Sequence, residues 1–310
     1  MIATVTLNPA LDRTVYIEKL LPNDANRIEK VETDAGGKGL NASRILKELG
    51  TPTLVLGFTG GQTGGFIEHV LLKEGVPTDF VHIFAETRTN ISVQETSGAP
   101  PTMFNEAGPP ITEDEIDELY VKVRKAAKNS SIVLLGGSIT EGVPVGIYFN
   151  LAKIVKEAGA KVILDSDEEP MVLGMKAVPF MIKPNRDEVK RLVGIEIKEI
   201  SDAVKALGLL QETGIELVVI SMGKDGAIAG MGREIFRAIP PEVKPVSTIG
   251  SGDSMVAGIA HILSKGGSLE DALRWGSAAG AATAMTDGTR MSKLPAILDL
   301  LDKVIIERIR

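Results

Sequence analysis

Two glycines separated by one residue and followed at once by a carboxylate make the most chemically suggestive stretch of the chain: Thr248-Ile249-Gly250-Ser251-Gly252-Asp253. It runs into the small, apolar Ser254-Met255-Val256-Ala257-Gly258. Glycines ahead of a helix let several backbone N–H groups converge at its N-terminus, a ready anion site. The dinucleotide fingerprint G-x-G-x-x-G would need glycine where Met255 stands, and the charge of Asp253 would oppose a resting pyrophosphate. A carboxylate beside an anion hole suits another task. It can take the proton of a hydroxyl attacking a phosphoryl group while negative charge develops toward the backbone amides. Asp253 as a simple helix cap is the plainer alternative, but it leaves the two preceding glycines unexplained.

A second glycine segment, Ala35-Gly36-Gly37-Lys38-Gly39-Leu40-Asn41, is not a Walker A loop. Glu32 occupies the first glycine position, and Gly39 follows the lysine where Ser or Thr is required. Its bare glycines let a ligand approach the backbone, and Asn41 at a helix start can hold hydroxyls. Asn185 and Glu188 have N-x-x-E spacing after an expected strand, which is also the spacing of a capping box.

Near-continuous apolar runs must position these residues: Thr53–Gly57, Ile132–Leu135, Val162–Asp165, Phe180–Lys183 and Leu217–Ile220. Such runs read as strands of a parallel sheet buried on both faces, and Met1–Asn8 reads as a further strand. Helices start between them. Thr112-Glu113-Asp114-Glu115 is a capping box opening a helix to about Lys128, Pro144 suits a first helical turn with Gly159 at the far end, and Ser201 and Ser268 open two more. The rhythm predicts an α/β fold with a doubly wound, mostly parallel sheet flanked by helices. Residues 13–34 and 87–105 break it with alternating apolar and polar residues around the Pro100-Pro101 break. They predict a small separate β-sheet, a lid inserted into a single unit spanning 1–310.

The 310 residues carry 34 Lys+Arg against 41 Asp+Glu, a net charge of −7, which argues against nucleic acid or an anionic membrane as partner. The absence of cysteine removes disulfides, thiolate metal sites and a cysteine nucleophile. The N-terminus has no signal-peptide pattern and no window is long and apolar enough to span a bilayer, so a cytoplasmic location is expected. None of this excludes a small anionic substrate held by a local cation cluster.

Taken together, the motifs resemble the PfkB/ribokinase family of sugar kinases over essentially the whole chain. Ala35–Asn41 looks like the first family signature and Thr248–Gly258 like the second. Between them, in family order, come Thr87-Arg88-Thr89-Asn90, Gly136-Gly137-Ser138, Lys183-Pro184-Asn185-Arg186-Asp187-Glu188 and Ser221-Met222-Gly223-Lys224-Asp225-Gly226. The opening Thr6-Leu7-Asn8-Pro9-Ala10-Leu11-Asp12 is similar to the branch acting on phosphosugars, the 1-phosphofructokinases and tagatose-6-phosphate kinases.

The resemblance implies a ribokinase-like fold and ATP and Mg2+ as cofactors. It makes Asp253 the catalytic base, with Gly250, Ser251 and Gly252 as the anion hole. Asp12, Gly37, Asn41 and Asn90 would bind the sugar, with Ser138 adding a hydroxyl; Arg27, Lys38 and Arg88 would meet its phosphate. Lys183, Asn185, Ser221, Gly223, Gly226 and Gly280 would serve the nucleotide, and Asn185 and Glu188 would organise Mg2+ through water. Ser251 stands where the wider family has alanine, a variant that fits the phosphosugar branch. Asn105-Glu106-Ala107-Gly108-Pro109 favours fructose 1-phosphate over tagatose 6-phosphate, with fructose 6-phosphate as an alternative. An isolated small sheet leaves an apolar face, so two lids are expected to pack in a homodimer. A dinucleotide-dependent oxidoreductase and a non-catalytic sugar-phosphate sensor are the competing readings; the Gly-Ser-Gly-Asp segment opposes both.

Overall fold

The structure is a computed structural model that describes residues 1–98 and 101–310. Pro100, half of the expected Pro-Pro break, lies outside the described residues.

From β1 (Ile2–Thr6) the chain leaves for β2 (Ala10–Ile17) and β3 (Lys30–Gly36) and returns through α1 (Lys38–Glu48) to β4 (Thr53–Gly60). After α2 (Gly61–Lys73) and β5 (Val81–Ile83) it leaves again for β6 (Arg88–Glu95) and β7 (Thr102–Asn105), and α3 (Glu113–Ala127) brings it back. A run of alternating elements follows: β8 (Ile132–Gly136), α4 (Ile147–Glu157), β9 (Lys161–Asp165), α5 (Glu168–Met175), β10 (Met181–Ile182), α6 (Arg186–Val193), α7 (Ile200–Gln211) and β11 (Leu217–Ser221). The chain closes with β12 (Ala227–Met231), β13 (Glu234–Ile239), α8 (Ser251–Leu263), α9 (Leu269–Ala284), α10 (Leu294–Leu301) and β14 (Ile305–Arg308).

The large sheet has the order β14-β13-β12-β11-β10-β9-β8-β1-β4-β5, parallel from β11 to β5. Successive residues of its central strands enter different cores. Val133, Leu135, Val162, Leu164, Val218 and Ile220 join the cluster on one face, and Ile132, Leu134, Ile163, Leu217 and Val219 the cluster on the other. Burial on both faces is why these strands read as unbroken apolar runs. The strand order reverses between β1 and β8, and the crevice beyond the C-terminal ends of such strands is where an open α/β sheet binds ligands.

Four strands of the large sheet were not legible in the sequence: β5, which ends one edge in parallel with β4, and β12, β13 and β14, which extend the other in antiparallel pairs. The two-residue link Gly232-Arg233, with Gly232 at φ 61°, is the hairpin signal that could have found the first pair.

Helix starts follow their capping chemistry. Thr112 and Glu115 form the expected reciprocal box, Asn185 and Glu188 another, and Ser268 caps α9. Two expected starts shift. Pro144 precedes α4, whose N-cap is Gly146, and the box opening α7 is Glu199 with Asp202, leaving Ser201 inside the helix. Glycine sets the contact of α8 with α9. A Cβ on Gly258 would lie 2.7 Å from the Trp275 carbonyl oxygen, and one on Gly276 would lie 2.8 Å from that of Met255.

The alternating segments form a second sheet of order β3-β2-β6-β7, reaching from Ala10 to Gly36 and from Arg88 to Asn105. β2 pairs antiparallel with β3 and parallel with β6, so Asp12 stands beside both Asp34 and Asn90. One face carries Asp12, Thr14, Asn90 and Ser92 toward the large sheet. The other carries the register-matched Val15, Val31, Ile91, Val93 and Phe104. Among the described residues, no helix is long and apolar enough to cross a membrane.

Candidate active site

Gly250 is the N-cap of α8 at φ 75°, a backbone conformation that favours glycine, and a Cβ there would lie 2.4 Å from the mobile Cε of Met291. Asp253 lies in the first turn that follows and makes no capping bond. It does not spend its carboxylate on the helix end. Asn41, from the opposing α1, donates Nδ2 to Asp253 Oδ2 at 2.8 Å, while Asn41 Oδ1 is buried without a partner. The N-terminus of α1 is fixed by the Gly39 amide, which donates to Thr6 Oγ1 at 2.9 Å.

Sequence reasoning missed the residue that joins these parts. Asp165, at the end of β9, accepts from Lys38 Nζ at 3.1 Å and lies 3.6 Å from Lys183 Nζ. An acidic residue after an apolar strand carries no motif. The signal was spatial: the end of β9 is flanked by β8 and β10 in the same sheet. Lys38 also approaches Asp167 at 3.9 Å.

The charges answer to one another. Burial, then the Asp165 charge, push the Asp253 carboxyl up to about 6, against Lys38, the Asn41 hydrogen bond and Lys183. Burial would also raise Asp165, but Lys183 and Lys38 hold it below the ordinary carboxylate range. Burial pulls Lys38 down; Asp165, Asp167 and Asp253 outweigh it and hold the ammonium well above its usual value. A carboxylate ready to accept a proton near neutrality thus sits beside the two lysines that share Asp165.

A cavity of about 390 Å3 opens from Asp253 toward the small sheet, lined among others by Asp12, Asn41, Arg88, Asn90, Asn105 and Ser138. Asn90 donates Nδ2 to Asp12 Oδ1 at 2.9 Å, and burial raises the Asp12 carboxyl against that bond and the Arg88 charge. Arg88 donates to the backbone oxygens of Glu106 and Asn8 at 2.9 and 3.0 Å, leaving Nε buried and unpartnered. Asn8, another residue the sequence reading left without a role, donates Nδ2 to Ala107 O at 2.8 Å and to Ser138 Oγ at 3.4 Å. The cavity therefore meets polyol-sized polar groups at one wall and a guanidinium at another.

Arg27 is not brought there. It lies exposed on the loop between β2 and β3, because pairing with β2 begins only at Lys30. Lys38 lines the cavity while its ammonium is held by Asp165 in the charge cluster. A cavity of about 490 Å3 on the far side of β3 is larger. Its charges neutralise one another in the pairs Arg44–Asp34, Arg44–Glu74, Arg290–Glu32 and Lys293–Glu48, so the 390 Å3 cavity is the one with chemistry to offer.

The residues expected to serve a nucleotide lie outside that cavity, on the β10–β11 side of the α8 turn. A Cβ on Gly252 would lie 3.4 Å from Lys183 Nζ. The Ser221 amide donates to Pro184 O at 3.0 Å, which brings Ser221 beside Asn185, while Gly223 and Gly226 turn the chain at φ 61° and 89°. Gly280 is buried in the α8–α9 contact, its Cβ position 3.0 Å from Ser251 O, and supports the turn from behind.

Asn185 Oδ1 accepts from the Glu188 amide and Glu188 Oε2 from the Asn185 amide. Burial, then a bond with Asp167, push the Glu188 carboxyl up to about 7. Among the described residues no cluster of three or more acidic or imidazole donors could close on a metal directly. Oxygen donors with spare lone pairs and no closed cage fit a hydrated divalent cation such as Mg2+, which keeps several of its waters.

Residues 5–297 match the pfkB family of carbohydrate kinases. The chain is 36% identical over 286 residues to a 1-phosphofructokinase of Borreliella burgdorferi, covering 92% of each. Its fold superposes with TM-score 0.92 on phosphofructokinase-2 from Escherichia coli in complex with potassium, at 30% identity over 97% of this chain and 98% of the other. A ribokinase of Arabidopsis thaliana complexed with ribose and ATP shares the fold at TM-score 0.79 and 24% identity, over 97% and 98% of the two chains. The chain belongs to the pfkB family of carbohydrate kinases, enzymes that transfer a phosphoryl group to an alcohol.

Proposed function

We propose that this family member transfers the γ-phosphoryl group of ATP to the free primary hydroxyl of fructose 1-phosphate, giving fructose 1,6-bisphosphate. The observation that carries the reading is Asp253, oriented by Asn41 and pushed up to about 6, where the 390 Å3 cavity meets the glycine turn of α8. Asp253 takes the hydroxyl proton as the oxygen attacks. The amides of Gly250, Ser251 and Gly252, with Lys38 and Lys183, neutralise the charge on the transferred group. Asp12, Asn41 and Asn90 hold the sugar hydroxyls, and Gly37 lets the sugar approach the backbone. Arg88, with Asn105 and Ser138, meets the phosphate already on the substrate. Lys183, Asn185, Ser221, Gly223 and Gly226 border the nucleotide. Mg2+ held through water by Asn185 and Glu188 would neutralise nucleotide phosphate charge.

Fructose 1-phosphate is favoured by the name of the Borreliella relative and by how Asn105–Pro109 is used. Asn105 lines the cavity, and Glu106 accepts from Arg88 through its carbonyl and from the Thr89 amide through Oε2. The small sheet acts as a lid on one catalytic unit. Its outer face exposes Val31, Ile91 and Phe104 at 39%, 38% and 55%, and packs against the same face of a second copy in a cytoplasmic homodimer.

ADP release measured in parallel with fructose 1-phosphate, fructose 6-phosphate and tagatose 6-phosphate tests the reading. Fructose 1-phosphate should give the highest kcat/KM by about tenfold or more. A higher value for another sugar names that acceptor instead, and no release with any of them overturns the phosphosugar assignment.

A further inference from the structure

Asp165 is 4% exposed and engages two ammonium groups from separate elements, one at the start of α1 and one just beyond β10. Those lysines face different compartments. Lys38 lines the 390 Å3 cavity, whereas Lys183 lies beside Gly252 at the turn of α8. An ammonium has three N–H donors, so a lysine held by one carboxylate oxygen keeps donors for an incoming anion. Each oxygen of Asp165 is committed to a different lysine, Oδ1 to Lys38 and Oδ2 to Lys183. We propose that Asp165 is a positioning residue for phosphoryl transfer, holding Lys38 on the acceptor side and Lys183 on the donor side of the group in flight. The proposal rests on the reading of Asp253 as the base. Without Asp165, two long side chains would have to find this geometry unaided, and misplacement by about 1 Å is enough to cost roughly a hundredfold in rate.

Asp165→Asn keeps the shape and removes the charge that both lysines share. The expected result is a fall in kcat of about a hundredfold, with a smaller change in the KM of the sugar phosphate. The acid limb of the kcat/KM profile should also move. The charged groups acting on Asp253 are Asp165, Lys38 and Lys183, with the Asn41 amide as its hydrogen-bond donor. Removing Asp165 takes away the charge opposing ionisation and leaves the two lysines unneutralised, so the limb near pH 6 shifts toward the ordinary carboxylate range. The phosphate of the substrate titrates near the same pH but identically in both enzymes, and cancels in the comparison. A merely structural Asp165 would lower Tm and leave the kcat of the folded enzyme in place.

Where Asp165→Asn alone fails to fold, Asp165→Asn with Lys38→Met removes one charge of each sign. Its kcat should still fall about tenfold below that of Lys38→Met alone, because Lys183 loses its partner as well; a kcat equal to that of Lys38→Met overturns the proposal. Asp253→Asn separates the two claims. Turnover retained in that variant defeats the base assignment itself. An inactive Asp253→Asn beside an Asp165→Asn enzyme with unchanged kcat and acid limb defeats only the positioning role.

Discussion

The charge cluster at the ends of β9 and α8 and the cavity-facing side of the small sheet treat burial in opposite ways. In the cluster the charged groups are partnered before any ligand arrives: Asp165 is shared between Lys38 and Lys183, and Asp253 is held by Asn41, while only the neutral Asn41 Oδ1 and Ser251 Oγ are left open. On the small sheet Asn90 Oδ1 and Arg88 Nε are buried without partners, and the strands behind them are half exposed. Charges that stabilise a transition state must be in place in advance, since reorganising them during the reaction would add to the barrier. Groups that recognise a substrate can wait for it to complete their hydrogen bonds. The difference assigns rate to the cluster and affinity to the sheet, and each assignment can be broken.

The largest effect is expected at Asp253. Asp253→Asn should lower kcat by about 10²–10⁴-fold with nucleotide binding retained, measured by ADP release and by titration with ATP. It should also raise Tm by roughly 2–5 °C. The sign follows from burial: a carboxyl whose folded pKa is raised favours folding below its unfolded pKa and loses that contribution as pH rises through about 6. An ionised Asp253 therefore weakens the fold at neutral pH, and asparagine relieves it. Unchanged turnover would end the division between rate and affinity.

Arg88→Ala should act on the other side of the comparison. It should raise the KM for fructose 1-phosphate by roughly ten- to a hundredfold and alter that for unphosphorylated fructose much less. A loss confined to kcat would move Arg88 into the rate-determining cluster. The smallest catalytic effect belongs to the outer face: Phe104→Asp should weaken association by about tenfold or more, read by light scattering at micromolar concentration, with kcat per subunit little changed. An unaltered molecular mass would remove that face from the interface.

The buried strands were legible because a strand covered on both faces must be apolar throughout, as Val162–Leu164 and Leu217–Ile220 are. The glycine turn was legible because Gly250 stands at φ 75°, where side chains with a Cβ are strained. Asp165 and Asn8 were not, since their partners Lys183 and Ser138 become neighbours only through strand pairing and chain reversal. Arg27 stands away from the cavity for a related reason. The alternation of residues 27–33 resembles a strand throughout, but pairing begins at Lys30 and the preceding residues have no register to follow. Gly280 has the small size a ligand surface would want, and close packing behind Ser251 uses that size too.

The parallel pairing of β2 with β6 bears on how the chain reaches this state. Asp12 and Asn90 lie 78 residues apart in the sequence, and the strands that carry them leave the large sheet at the ends of β1 and β5. Their ladder cannot close until β1, β4 and β5 have brought those exits together, and long-range closure of this kind slows folding. The β2–β6 ladder should therefore order after the α/β layer. A folding intermediate would hold a finished α/β layer with the acceptor wall still unassembled, so nucleotide-binding capacity would return earlier during refolding than the capacity to bind sugar phosphate.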